Sequence, residues 1–245
     1  MTAASLEARL GAALAPAYEL VRPLGAGGMG SVYLARQAGL ERMVAVKVLA
    51  ETLAASAGAR QRFLREARAV AGLAHPNVVA IHAVGEMEDG TPYFVMQYVE
   101  GTTLAQTLRS GPLPIADARR LLCDLASALE AAHERAIVHR DVKPENILLE
   151  DGGRRALLTD FGIAKALDDE DVSLTGTRTL LGSPHYMSPE QAAGDAVDAP
   201  TDIYSLGVVV YHALAGRTPF QGETLRSLIK QHITAAPPPL TDVRP

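Results

Sequence analysis

The chain has 245 residues, 48% of them hydrophobic, with 28 acidic against 23 basic side chains and a formal net charge of −5. That length allows one domain or two small lobes with a sizeable core, and the composition is that of a globular chain, not a disordered one. A net acidic chain argues against a nucleic-acid binder, because phosphate backbones require a basic face.

In chain order, residues 1–17 read as a short alanine-rich helix, an N-terminal extension without chemistry of its own. Charges in "MTAASLEARLGAALAPAYEL" stand where a secretory signal would be apolar. From Tyr18 to Tyr98 the runs "YELVRPL", "SVYLAR", "MVAVKVL", "VVAIHAV" and "PYFVMQYV" are short, β-branched or aromatic, and divided by turn residues. That pattern predicts strands. One helix, Gln61–Ala74, interrupts them, with Phe63, Val70 and Leu73 on one stripe. Glu66 falls on that same stripe, where a carboxylate is unwelcome unless paired. Lys47, on the otherwise apolar strand "VAVK", is the candidate partner.

Beyond "VEGTTL" the pattern turns helical, so a strand-rich part (18–98) precedes a helical part (99–245), with the join near Val99–Gly101. A helix over 115–134 carries Ala118, Leu121, Leu122, Leu125, Leu129 and Ala132 at helical spacing. Cys123, the one cysteine, lies inside it and reads as a buried small apolar residue; a single cysteine fits a reducing compartment. "IYSLGVVVYHALAG", from Ile203, is shorter than the ~20 residues a bilayer needs and reads as a buried core helix. The expectation is a cytoplasmic chain with no membrane segment. "DDED" (168–171) reads as a solvated loop, and "APPPLTDVRP" as an extended surface segment.

Several short stretches concentrate chemistry. "LGAGGMGSVYLA" spaces Gly25, Gly27 and Gly30 so that backbone N–H groups can approach phosphates. A glycine-rich hairpin turn explains it equally well; a dinucleotide fingerprint does not, because a strand and not a helix follows. "VHRDVKPEN" gathers an imidazole, two cations, two carboxylates and an amide within 138–146. In "LLTDFGIAK", Asp160 follows an apolar strand and precedes a turn. Asp160 and Asn146 are hard oxygen donors suited to Mg²⁺.

In this order, G-x-G-x-x-G-x-V, V-A-x-K, a mid-helix glutamate, H-R-D-x-K-P-x-N, D-F-G, a P-E pair and D-I-Y-S-L-G resemble the protein kinases over residues 24–220. "GAGGMGSVY", "HPNVV", "DVKPENILL" and "YMSPEQA" are most similar to bacterial Ser/Thr kinases of the eukaryotic-like type. The resemblance implies an α+β, bilobal fold, with a small five-stranded antiparallel N-lobe bearing one helix and a larger, mainly helical C-lobe. It implies transfer of the ATP γ-phosphate to Ser/Thr hydroxyls of protein substrates, with activation-loop autophosphorylation. Mg²⁺ is the expected ion and Mn²⁺ the alternative, and a transient homodimer through the N-lobe is among the expected partners.

By that resemblance Asp141 receives the substrate hydroxyl's proton and Lys143 steadies the γ-phosphate. Lys47, braced by Glu66, grips the α- and β-phosphates, and Asn146 and Asp160 hold the metal. The nucleotide is expected against Leu24, Gly25, Ala26, Gly27, Gly28, Met29, Gly30, Ser31, Val32, Ala45 and Leu148, with Met96 as gatekeeper and Tyr98 and Val99 in the hinge. His139 and Phe161 are packing residues, in a column with Val70 and Ile81. Thr175 and Thr177 are the expected phosphosites, with Arg140, Lys165 and Arg62 as phosphate partners. Lys47, Asp141 and Asp160, whose loss marks nucleotide-binding scaffolds of this family, are all present. Ser188 and Ser183 replace an alanine and a threonine of the pattern without expected loss. The family continues past the helix after Phe220 with further helices, one bearing an arginine for Glu190. The expectation for residues 1–245 alone is therefore reduced stability.

Overall fold

Alternating apolar side chains along the β-branched runs build an antiparallel sheet in the order β1-β2-β3-β5-β4, seen in a computed structural model that describes residues 3–161 and 184–244. Its strands are β1 (Tyr18–Gly27), β2 (Gly30–Gln37), β3 (Arg42–Leu49), β4 (Ile81–Glu86) and β5 (Pro92–Gln97). With helices α1 (Ala3–Leu14), α2 (Glu51–Ala54) and α3 (Ala57–Ala71) they form one unit, residues 3–74 and 79–98. The five expected strands are all present. The helix expected at Gln61 begins at Ala57, because the Ser56 hydroxyl caps it by accepting from the Ala59 N–H at 3.3 Å.

The two faces of β3 have different partners. Val44, Val46 and Val48 join Tyr33, Ala35 and Val95 in an apolar cluster that Leu10 and Leu14 of α1 complete. The opposite face carries Ala45 and Lys47, 4% and 8% exposed. Phe94, the cross-strand partner of Lys47, meets Phe63 of α3 with ring centroids 5.3 Å apart. Gly30 is required by the fold: at φ +144° an added Cβ would lie 1.9 Å from the Val48 carbonyl oxygen.

The second unit comprises residues 75–78, 99–161 and 184–244. Strands β6 (Gly101–Thr103), β7 (Ile147–Glu150) and β8 (Arg155–Leu158) make a small antiparallel sheet. Its helices are α4 (Leu104–Leu108), α5 (Ile115–His133), α6 (Pro189–Ala193), α7 (Ala199–Ala215), α8 (Leu225–Thr234) and α9 (Leu240–Val243). Helix α5 buries Ala118, Leu121, Leu125, Ala128, Leu129 and Ala132.

Three expectations need correction. Leu122 is 39% exposed and Cys123 is exposed, because a helix buries one stripe and both residues lie round from Leu121 toward solvent. Helix α7 is not buried on every side: Ile203 is 53% exposed, and the helix starts at Ala199 with Asp198 as its N-cap. The proline-rich end is not wholly extended, since Leu240–Val243 coil into α9 once the prolines are passed. Among the described residues no helix is long and apolar enough to cross a membrane.

Candidate active site

The loop between α5 and β7 carries "VHRDVKPEN", and one buried carboxylate shapes it. Asp202, on α7 and 0% exposed, accepts from the backbone N–H of His139 at 2.8 Å and of Arg140 at 2.7 Å. His133 of α5 adds its Nε2 at 2.8 Å. Arg140 is held at φ +65°, a conformation L-residues seldom adopt, and its carbonyl accepts from the Gln191 amide at 2.8 Å. His139 is 0% exposed, and both ring nitrogens are engaged with backbone. Its Nε2 donates to the Thr159 carbonyl at 2.9 Å, while its Nδ1 accepts from the Asp141 N–H at 3.2 Å. The ring also packs on Phe161 at 4.6 Å, so both residues pack as expected.

This frame presents Asp141 to two partners from its own loop. Lys143 Nζ lies 2.6 Å from Asp141 Oδ2. The Asn146 amide nitrogen donates to the same oxygen at 3.0 Å and to the Asp141 carbonyl at 2.9 Å. With its nitrogen turned to Asp141, Asn146 keeps its side-chain oxygen for another ligand. The Thr159 N–H donates to the Asn146 carbonyl at 3.0 Å, which sets the next residue, Asp160 at φ +59°, beside this cluster. A neutral amide oxygen and a carboxylate fit a hard divalent cation that takes its remaining ligands from phosphate and water.

In the first unit the expected nucleotide residues collect on one sheet face. The pairings Gly25↔Val32, Val32↔Lys47 and Ala45↔Met96 put these side chains on the same side as Phe94. Glu66 lies one turn beyond Phe63 on α3, the helix that packs on that side. Gly25, Gly27 and Gly28 differ from Gly30: a Cβ at any of them would meet nothing within 4 Å. The fold does not need glycine there, so the open space admits a close ligand. Leu24, in β1, is 37% exposed. Tyr98 closes the first unit, while Val99 and Leu148 belong to the second. Thr175, Thr177, Lys165 and Ser183 lie outside the described residues.

A protein kinase domain model matches residues 18–240. The chain belongs to the protein kinase domain family. The kinase domain is 46% identical over 231 residues to the serine/threonine-protein kinase pkn2 of Myxococcus xanthus, covering 93% of this chain and 28% of that protein. It is 43% identical to the serine/threonine-protein kinase PrkC of Bacillus subtilis, covering 94% of this chain and 35% of that one. The chain thus spans about a third of the length of these curated relatives. Among solved structures, a mutant of the Mycobacterium tuberculosis PknI kinase domain matches with a TM-score of 0.69 at 33% identity, over 91% of this chain and 89% of that chain.

Sequence reading of the kinase domain gave no role to Asp202, His133 or Gln191, which hold the 138–146 loop through hydrogen bonds. The D-I-Y-S-L-G run contains Asp202, and the one available signal was a carboxylate within an apolar helix. Glu190 is served locally. Burial would raise its pKa, but the Thr201 hydroxyl, its own backbone N–H and the Ser188 hydroxyl bring it below the ordinary carboxylate value. Arg244 donates to the carbonyls of Leu113 at 2.6 Å and Leu214 at 3.2 Å.

Buried histidines should make the kinase domain sensitive to acid. Burial lowers the pKa of His139, His212 and His232 from 6.5, against an opposing pull from Asp202 on the first and Glu145 on the second. His212 Nδ1 bonds the Tyr186 hydroxyl at 2.7 Å, and His232 Nδ1 bonds that of Tyr204 at 2.9 Å. The unfolded chain then binds more protons than the folded one just below pH 6.5, so stability is full above that value and falls as pH drops toward the lowered pKa values. The melting temperature should therefore fall between about pH 7.5 and 5.5, above the carboxylate range, and His232→Gln should flatten the slope. A melting temperature that stays level or rises on acidification contradicts this.

Proposed function

We propose that this domain is a Ser/Thr protein kinase that transfers the γ-phosphate of ATP to protein hydroxyls. The observation that carries the reading is the Asp141–Lys143–Asn146 cluster on a loop anchored by buried Asp202. The acceptor hydroxyl oxygen attacks the γ-phosphorus, the bond to the β–γ bridging oxygen breaks with its electrons going to ADP, and the hydroxyl proton passes to the Asp141 carboxylate. The Asn146 amide orients that carboxylate, and Lys143 places positive charge beside the transferring phosphoryl group. Phosphoryl transfer asks the protein mainly for position and charge neutralisation, which this cluster supplies. Mg²⁺, or Mn²⁺ in its place, would be held by Asn146 and Asp160 and would neutralise the phosphate oxygens.

Lys47 is assigned to the α- and β-phosphates with Glu66 as its brace, and Gly25, Gly27 and Gly28 to backbone contact with phosphate. Ala45, Val32, Met96 and Leu148 are assigned to the adenine, and Tyr98 and Val99 to the hinge between an N-lobe (18–98) and a C-lobe (99–245). We place the reaction in the cytoplasm, where ATP is supplied, and retain a transient homodimer through the N-lobe as a further proposal. The test is incubation with γ-labelled ATP, Mg²⁺ and a Ser/Thr-rich acceptor protein, followed by phosphoamino-acid analysis. Label should appear on serine and threonine and vanish with a chelator. Lys47→Met should lower the rate at sub-saturating ATP by roughly 10–100-fold, the scale of lost charge-assisted bonds. No label in the parent protein would overturn the proposal.

Thr175 and Thr177 are proposed as autophosphorylation sites. Phosphate there adds about −1.5 to −2 charge and three acceptor oxygens, with Arg140, Lys165 and Arg62 as proposed partners. Mass spectrometry of active protein should find the phosphate, and Thr175→Ala with Thr177→Ala should lower activity several-fold. Full activity without phosphate would refute this assignment.

A further inference from the structure

Helix α1 precedes the residues that the protein kinase model matches, 18–240, yet it is built into the first unit's core. Leu10 and Leu14, four residues apart on one helical face, are 0% and 2% exposed in the cluster that contains Val44, Val46 and Val48 of β3. Those valines alternate with Ala45 and Lys47, so α1 backs the strand whose opposite face carries the lysine.

The polar contacts of α1 reach both sides of that strand's surroundings. Arg9 pairs with Glu51 at 2.9 Å and also with Asp89. Glu51 opens α2 just after β3 ends at Leu49, so it lies within four residues of Lys47 along the chain. Asp89 belongs to the β4–β5 turn, where its other carboxylate oxygen accepts from the Thr91 N–H at 3.0 Å. The Tyr93 hydroxyl of β5 donates to the Ala13 carbonyl at 3.3 Å, fixing the C-terminal turn of α1 to the same sheet. One guanidinium thus joins three segments: the N-terminal helix, the exit of the lysine strand and the far hairpin.

We propose that Arg9 is a positioning residue for nucleotide binding, acting through Glu51 and Asp89 to hold β3 and Lys47 in place. The proposal rests on the kinase reading above. Both acids are partly exposed, with side chains 42% and 46% accessible, so each pair is a modest, salt-sensitive interaction and not a core contact.

The test uses the full chain at low ionic strength. Arg9→Ala should raise the KM for ATP about threefold while kcat changes less than about 1.5-fold, the scale two partly exposed pairs support. Amide hydrogen exchange across residues 43–54 should quicken in the variant. Arg9→Lys should restore most of the parental KM, and Glu51→Gln should reproduce part of the defect. At about 0.5 M salt, screening should bring the parent toward the variant. A role in stability alone would lower the melting temperature and leave the KM and its salt dependence unmoved. Parental KM in Arg9→Ala, or no rescue by Arg9→Lys, would overturn the proposal. Exchange is read without catalysis: altered exchange in a chain that transfers no phosphate would support the Arg9 role while refuting the kinase reading.

Discussion

Asp141→Asn is expected to lower kcat by about 10²–10⁴-fold, the usual contribution of a positioned proton acceptor. Asparagine keeps the shape of the side chain and can still meet the Asn146 amide, but it cannot take the hydroxyl proton. It also deprives Lys143 of the carboxylate oxygen now 2.6 Å from its ammonium. Because the substitution leaves Lys47, the glycines and the other residues proposed to bind ATP unchanged, the KM for ATP should change little. The melting temperature should stay within a few degrees of the parent, since the loop's anchor, Asp202, is untouched. Steady-state kinetics at saturating ATP and a thermal melt check both points. A variant retaining more than about a tenth of the parental kcat would remove Asp141 from the role of base.

Asp202→Ala should cost both stability and activity. The carboxylate is fully buried and accepts from two backbone N–H groups and one imidazole. Truncation leaves those donors without an acceptor in a dry site, and breaking such a buried charged network costs about 3–5 kcal/mol. A domain's whole stability is only about 5–15 kcal/mol, so the urea midpoint should drop sharply. The strained φ of +65° at Arg140 would lose the Asp202 restraint, while the Gln191 amide on the Arg140 carbonyl would remain. The 138–146 loop should loosen, and kcat should fall with the melting temperature. Asp202→Asn, which keeps one acceptor oxygen, should fall between the parent and the alanine variant. A loss below about 1 kcal/mol for Asp202→Ala would show that the loop does not depend on this anchor.

The candidate site was legible where its chemistry is local. Asp141, Lys143 and Asn146 stand within six consecutive residues, and their hydrogen bonds form inside that loop. Lys47 stood out as a charge on an otherwise apolar strand, and the register makes Val32 its cross-strand partner. Glu66 stood out as a carboxylate on an apolar stripe. The five strands followed from composition and spacing. Glycine was less readable. Four glycines share the β1–β2 hairpin, and only the path of β3 past β2 separates Gly30, which the fold requires, from Gly25, Gly27 and Gly28, which it leaves open.

What the linear chain determined by itself, then, was its periodicity: which segments are strands or helices, which side chains share a face, and which polar groups crowd one loop. Tertiary structure alone decided the rest. Asp202 reaches the 138–146 loop from 62 and 63 residues away, a distance no local pattern reports. Helix α1, read as an appendage, became core because the back of β3 needs an apolar cover. Cys123 and Leu122, apolar by composition, face solvent because a helix against one layer buries one stripe. Burial and long-range hydrogen bonding depend on what packs opposite a residue, and its neighbours in sequence do not carry that information.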